Sequence, residues 1–158
     1  INQSKQFDEI SNEIKNNFTY CWYYFFEFIF IFTNRWKKQV GDLEIFSVGM
    51  VIMWHSLVTK SYQANGWNFS KWKKIKIKVP ETGVNTMSIS EITNIPRPTV
   101  VRKLNYLLKN KYISVNKKKL FNVNMQDKTL TDTIKLQEKN VVSLAYLVFK
   151  IFNQINIK

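Results

Sequence analysis

The chain has 158 residues, 45% of them hydrophobic, which suffices for an ordinary domain with a real core and excludes the disordered class. Its formal charge is +13, and its single cysteine, Cys21, excludes an intrachain disulfide and points to a reducing compartment, the cytoplasm. One histidine and one cysteine cannot make a four-ligand zinc site, four scattered glycines make no phosphate-cradling loop, and no His-centred triad exists without His55, so neither catalysis nor a metal or cofactor is expected.

The excess charge is localised. Residues 71–128 hold 14 Lys/Arg against 3 Asp/Glu, a net of +11, whereas the other 100 residues hold 10 against 8, a net of +2. Abundant Lys, Asn, Ile and Phe suggest an AT-rich coding bias, but such a bias would raise lysine everywhere rather than in one third of the chain. A concentrated positive patch calls for a polyanion as partner.

In chain order, residues 4–40 read as one long helix. Phe7, Ile10, Ile14, Phe18, Cys21, Phe25, Phe28, Phe32 and Trp36 advance by threes and fours. Residues 20–32 are apolar on every side except at Glu27, so this part must be enclosed by protein or lipid. About 13 residues span only ~20 Å of a ~30 Å bilayer core, and Glu27 adds to the cost, so no stable membrane span is expected and burial between subunits is the better reading. No basic–apolar–small-residue leader is read at the start, so no secretory signal is expected. Gly41 stops the helix and Asp42 caps a second one over residues 43–63, with Leu43, Phe46, Met50, Met53/Trp54 and Leu57 on its core-facing side and His55 as a packing residue.

Residues 64–86 form a basic insertion between an Asn65-Gly66 turn and a second turn at Pro80 and Gly83. Lys71, Lys73, Lys74, Lys76 and Lys78 alternate with Trp72, Ile75, Ile77 and Val79, which predicts a strand or extended arm. It reads equally as an edge strand guarded by lysines and as a strip of phosphate contacts.

Residues 87–124 carry the most specific pattern. Ser88 and Glu91 form a capping box that opens a short helix with Ile92 as its buried side chain, and Asn94 ends it in a left-handed conformation. Ile95 plugs the core from the turn. Pro96 and Pro98 require a second helix to start beside Arg97. Its inner face is Val100, Leu104, Leu107 and Leu108; its outer face is Arg97, Thr99, Arg102, Lys103, Tyr106 and Lys109. The period then becomes two: residues 112–115, a polar tip at Asn116–Lys117–Lys118–Lys119, and residues 120–124 form a hairpin. Finally, residues 129–155 are helical, with Ile134, Val141, Ala145, Val148, Phe152 and Ile155 as a seam that Leu144, Leu147 and Ile151 widen. Two long apolar helices at the chain ends exceed what a small domain covers, and pairing with a second copy is the economical solution.

Helix, tight turn, helix and basic-tipped hairpin over SISEITNIPRPTVVRKLNYLLKNKYI and the short wing resemble the DNA-binding part of bacterial winged-helix transcriptional regulators of the MarR and IclR kinds. Val115-Asn116-Lys117 stands where MarR-type wings carry Asp-x-Arg, and the short wing is closer to the IclR kind. The resemblance implies a mainly α fold: a winged helix-turn-helix with a small β-hairpin wing over residues 43–124, in one domain of residues 1–158, flanked by long dimerisation helices at 4–40 and 129–155. It implies a dimeric, sequence-specific regulator on double-stranded DNA, with helix 97–109 in the major groove and the wing, residues 112–124, on the backbone. Arg102 is then the principal base reader, with Thr99 and Lys103 beside it; Arg97 faces phosphate and Pro98 a thymine methyl. Lys117, Lys118 and Lys119 face phosphates, and Ser88, Lys73, Lys74 and Lys76 are further candidates. The alternative is a winged-helix interaction module whose aromatic N-terminal helix docks a protein or membrane. A small-molecule effector stays open: Trp22, Tyr24, Trp54 and Tyr62 either line a cleft or simply pack.

Overall fold

The computed structural model describes residues 3–58, 68–72, 81–124 and 128–155. They are mainly helical with one two-stranded antiparallel sheet: α1 (Gln3–Asn16), α2 (Phe18–Val40), α3 (Leu43–Val58), α4 (Phe69–Trp72), α5 (Thr86–Thr93), α6 (Arg97–Lys109), β1 (Ile113–Val115), β2 (Phe121–Val123) and α7 (Lys128–Gln154). The chain divides into two compact units, Ile1–Arg35 with Leu136–Lys158, and Trp36–Lys135.

In the first unit, the single helix expected over residues 4–40 is divided at Asn17. The ladder passes through the division, since the Asn17 amide donates to Glu13 O and the Cys21 amide to Asn17 O, each at 3.0 Å. The Asn17 side chain, however, also donates to Glu13 O at 3.0 Å, the local competition that makes asparagine a poor helix-interior residue. Residues 18–35 of α2 and residues 136–154 of α7 lie antiparallel: Asn17 accepts from Gln154, Tyr24 meets Tyr146 edge-on at 5.9 Å, and Arg35 reaches Asn140 and Ser143. The ammonium of Lys150 lies over both tyrosine rings, 5.1 Å from Tyr24 and 5.3 Å from Tyr146. The two terminal helices therefore cover one side of each other within the same chain.

The second unit begins with the end of α2. Gly41, at φ +110°, adopts a conformation open chiefly to glycine, and Asp42 Oδ1 accepts the Ile45 amide at 2.7 Å, the stop and cap expected from the sequence. The face that α3 buries is not the expected one. Ile45, Val48, Val51, Ile52 and Ser56 are buried, whereas Leu43, Met50 and Trp54 are exposed, Trp54 at 64%. Both stripes are apolar, and the choice is made by α5, α6 and β2, all of which pack on α3. The helix is described to Val58, and its expected continuation to residue 63 lies outside the described residues. Lys71 and Trp72, which alternation assigns to an extended arm, belong to the short helix α4; residues 73–80 of that arm lie outside the described residues.

Helix α5 starts earlier than a Ser88–Glu91 capping box would allow. Asn85 is the cap, its Oδ1 accepting the Ser88 amide at 2.8 Å, and the helix begins at Thr86. The shift brings Ile89 rather than Ile92 into the core, at 0% against 56% exposure. Asn94 takes the expected left-handed conformation (φ 55°), and Ser90 Oγ donates to Ile95 O across the turn. After Pro96, α6 buries Val100, Leu104 and Leu107, as its spacing predicts. The hairpin pairs Ile113 with Val123 and Val115 with Phe121. Val84 adds a bridge to Phe121 through two hydrogen bonds, 3.2 and 2.9 Å. Gly83 makes this approach feasible, because a Cβ there would lie 2.8 Å from Phe121 O and 2.7 Å from the side-chain Nδ2 of Asn122.

Candidate nucleic-acid interface

Helix α6 is held on its inner side by Val100, Leu104 and Leu107 and carries the expected outer residues. Arg97 and Arg102 are exposed and have no ion-pair partner among the described residues. Pro98 is exposed and Thr99 half-buried, so the first two turns present two free guanidinium groups around a small polar and apolar surface. Lys109 and Tyr106 are exposed further along the helix.

Lys103 is placed differently. Its ammonium donates to Asp42 Oδ2 at 2.7 Å and lies 3.1 Å from Glu44 Oε2, with only 12% of the side chain exposed. The hydrogen bond to Asp42 holds the ammonium above the usual lysine range. Burial pushes the Asp42 carboxyl up, but the Ile45 amide and Lys103 outweigh it and hold it below the usual carboxylate range. Lys103 thus ties α6 to the first turn of α3 instead of joining the free basic face. The sequence carried half the signal, since Asp42 reads as a cap, but its second role depends on a residue 61 positions away.

A second tie lies nearby: the Tyr112 hydroxyl donates to Gln39 O at 3.0 Å and accepts from Gln39 Nε2 at 3.2 Å. Burial raises the Tyr112 phenol above its ordinary range.

The hairpin tip is organised by Asn116, which sequence reading counts only as polar. Its Oδ1 accepts the amides of Lys118 (2.9 Å) and Leu120 (3.0 Å), and its Nδ2 donates to Glu81 O at 2.9 Å. This side-chain turn sets Lys119 at φ 59° and leaves Lys117, Lys118 and Lys119 exposed. Lys118 lies 3.8 Å from Glu81, both well exposed, so the pair adds little.

Comparison with family models, curated proteins and solved structures found no match.

Of the remaining candidates, Ser88 is half-buried with its amide engaged by Asn85, and Lys73, Lys74 and Lys76 lie outside the described residues. Trp22 stacks on Phe18 at 5.0 Å, Tyr24 packs among Tyr20, Tyr23 and Tyr146, Trp54 is exposed, and Tyr62 lies outside the described residues. Among the described residues no group of three His, Cys, Asp or Glu side chains is placed to hold a metal ion, and no single helix is long and apolar enough to cross a membrane.

The Asp42 tie gives a graded prediction. Asp42→Ala removes both the cap and the pair and is expected to cost about 1–2 kcal/mol in urea unfolding. Asp42→Asn keeps a capping acceptor and should cost no more than about 1 kcal/mol. Asp42 contributes above its unfolded pKa and loses that contribution as pH falls through its lowered folded value. Lys103 contributes below its unfolded pKa and loses that contribution as pH rises through its raised folded value. The contribution of this contact should therefore be level from roughly pH 5 to 9.5 and fall away on both sides. Equal losses for the two variants would show that the cap contributes nothing.

Proposed function

We propose that the Trp36–Lys135 unit is a winged helix-turn-helix that binds double-stranded DNA as a transcriptional regulator, with α6 in the major groove and the β1–β2 hairpin on the backbone. The observation that carries this reading is the division of α6: its inner face is buried, while Arg97 and Arg102 stand free at its start. They belong to a unit that holds 18 Lys/Arg against 6 Asp/Glu. The packing of α5 and α6 on α3, the left-handed turn at Asn94, and the bridge of Val84 to the hairpin support the winged form. The exposed lysines of the tip suit phosphate: an ammonium on a flexible stem acts as a point charge and fixes register without reading bases.

The test is fluorescence anisotropy on duplex DNA across a range of salt concentrations. Wild type should bind with a steep negative salt slope. Replacing Lys117, Lys118 and Lys119 together by alanine should weaken binding to all sequences alike and flatten the slope by roughly 0.9 log unit for each phosphate no longer neutralised. A triple variant that kept the slope while losing discrimination between a selected site and random DNA would refute the backbone role of the wing. Absence of binding at low salt would refute the nucleic-acid reading itself.

A further inference from the structure

The outer face of α6 holds more than its charges. Arg97 and Pro98, Val101 and Arg102, then Asn105 and Tyr106 are exposed as pairs one turn apart, whereas Thr99 and Lys103 are half-buried on the flank. Val101 and Asn105 stand in the middle of that face, with Arg102 beside them. Val101 is an apolar side chain left 43% exposed. A lone exposed valine is ordinary, and it is the position of this one that is informative. Asn105 is exposed, and its side chain has no hydrogen-bond partner among the described residues. Coding bias raises asparagine throughout the chain, yet Asn85, Asn110, Asn116, Asn122 and Asn124 of the same unit all direct their side chains to backbone groups. Asn94 supplies the left-handed turn. Inside a helix both valine and asparagine are less favourable than alanine, lysine or glutamate, so helix stability does not account for an exposed Val–Asn pair one turn apart.

Resting on the duplex-DNA reading of the Trp36–Lys135 unit, we infer that Val101 and Asn105 are base readers, and that the site α6 recognises carries a thymine and an adenine within about two base pairs of each other. In the major groove the thymine methyl is the one apolar group that a base edge presents. Adenine alone places an N7 acceptor beside an N6 donor, the pair that the donor and acceptor of a carboxamide meet together. Val101 supplies the first contact and Asn105 the second. Four residues at a rise of about 1.5 Å each set the two positions about 6 Å apart, close to two base-pair steps of about 3.4 Å. Guanine, the base that suits the Arg102 fork, leaves both side chains unmatched. Val101 would meet no methyl there, and the Asn105 amide would face two acceptors, with its own oxygen deprived of a donor. The recognised sequence is therefore mixed: guanine for Arg102, and A·T pairs for Val101 and Asn105.

The experiment is competitive anisotropy of the full chain on a duplex that wild type selects from random sequence. Each thymine in turn is replaced by deoxyuridine, which lacks the methyl, and each adenine in turn by 7-deazaadenine, which lacks the N7 acceptor. Wild type should bind roughly fourfold more weakly where the contacted methyl is lost, the scale of one buried apolar carbon, and roughly tenfold more weakly where the contacted N7 is lost. Val101→Ala should be indifferent to that deoxyuridine and keep the 7-deazaadenine effect; Asn105→Ala should do the reverse. Both positions are exposed and alanine is the better helix former, so neither variant should lose helix by far-UV circular dichroism. Should either variant misfold, the base replacements on wild type decide by themselves. A wild-type chain indifferent to every replacement, folded variants that keep both effects, or a selected site without A·T pairs would overturn the inference and leave duplex binding standing. Failure of wild type to bind any duplex at low salt would instead remove the duplex reading, and this inference with it.

Discussion

Arg102→Ala is expected to weaken binding to the chain's selected DNA site by about 1–3 kcal/mol while costing less on scrambled DNA, because a guanidinium fork that spans two acceptors of guanine has no substitute at that base pair. The expectation rests on where α6 leaves its side chains. Leu104 and Leu107 are buried, so Arg102 projects outward, and no carboxylate among the described residues holds it. Its neighbour Lys103 is the internal control. It is half-buried and paired with Asp42 and Glu44, so Lys103→Ala should lower thermal stability and leave the salt slope of DNA binding unchanged. Arg97, at the helix start, is better suited to phosphate, and Arg97→Ala should weaken both DNAs alike. The measurement is competitive anisotropy with a site selected from random duplexes, at one salt concentration. Equal losses on selected and scrambled DNA for Arg102→Ala would make it a backbone contact and shift the reading of bases elsewhere.

Ile89→Ala should destabilise the chain by about 2–5 kcal/mol, the cost of a cavity beneath α5, whereas Ile92→Ala should change stability by less than about 0.5 kcal/mol. The two isoleucines lie three residues apart on the same short helix, and hydropathy does not rank them. Ile89 is enclosed where α5 packs on α3 and α6; Ile92 faces solvent. Urea unfolding at neutral pH separates the two outcomes. A large loss for Ile92→Ala with a small one for Ile89→Ala would restore the helix start at Ser88 and put the Asn85 cap in error.

The parts of this protein legible in its residues alone are those set by backbone chemistry over a few positions. Asn94 tolerates a positive φ, Pro96 and Pro98 can occupy only a helix start, Gly41 and Asp42 stop one helix and cap the next, and alternation around a polar tip makes a hairpin; all appear as read. The inner face of α6 was legible for the same reason, since its apolar and polar residues separate cleanly around the helix. Helix α3 offered no such separation. Its residues are apolar nearly all round, and the stripe Ile45, Val48, Ile52, Ser56 faces the core because α5, α6 and β2 close on that side. The start of α5 reads as a Ser88–Glu91 capping box, but the Asn85 side chain holds the Ser88 amide instead, and Ile89 fills the core. Lys103 reads as one more cation on an outer face until folding brings two carboxylates from the start of α3 against it. The terminal helices each announced more apolar surface than one face needs. That they cover one side of each other within the chain was decided by long-range contacts: Tyr24 with Tyr146, and Arg35 with Asn140 and Ser143. Local sequence sets where helices begin, end and turn, because the deciding interactions close within a turn of chain. Which of two equally apolar faces is buried, and which charge is paired, depends on partners distant in sequence and is decided only when they meet.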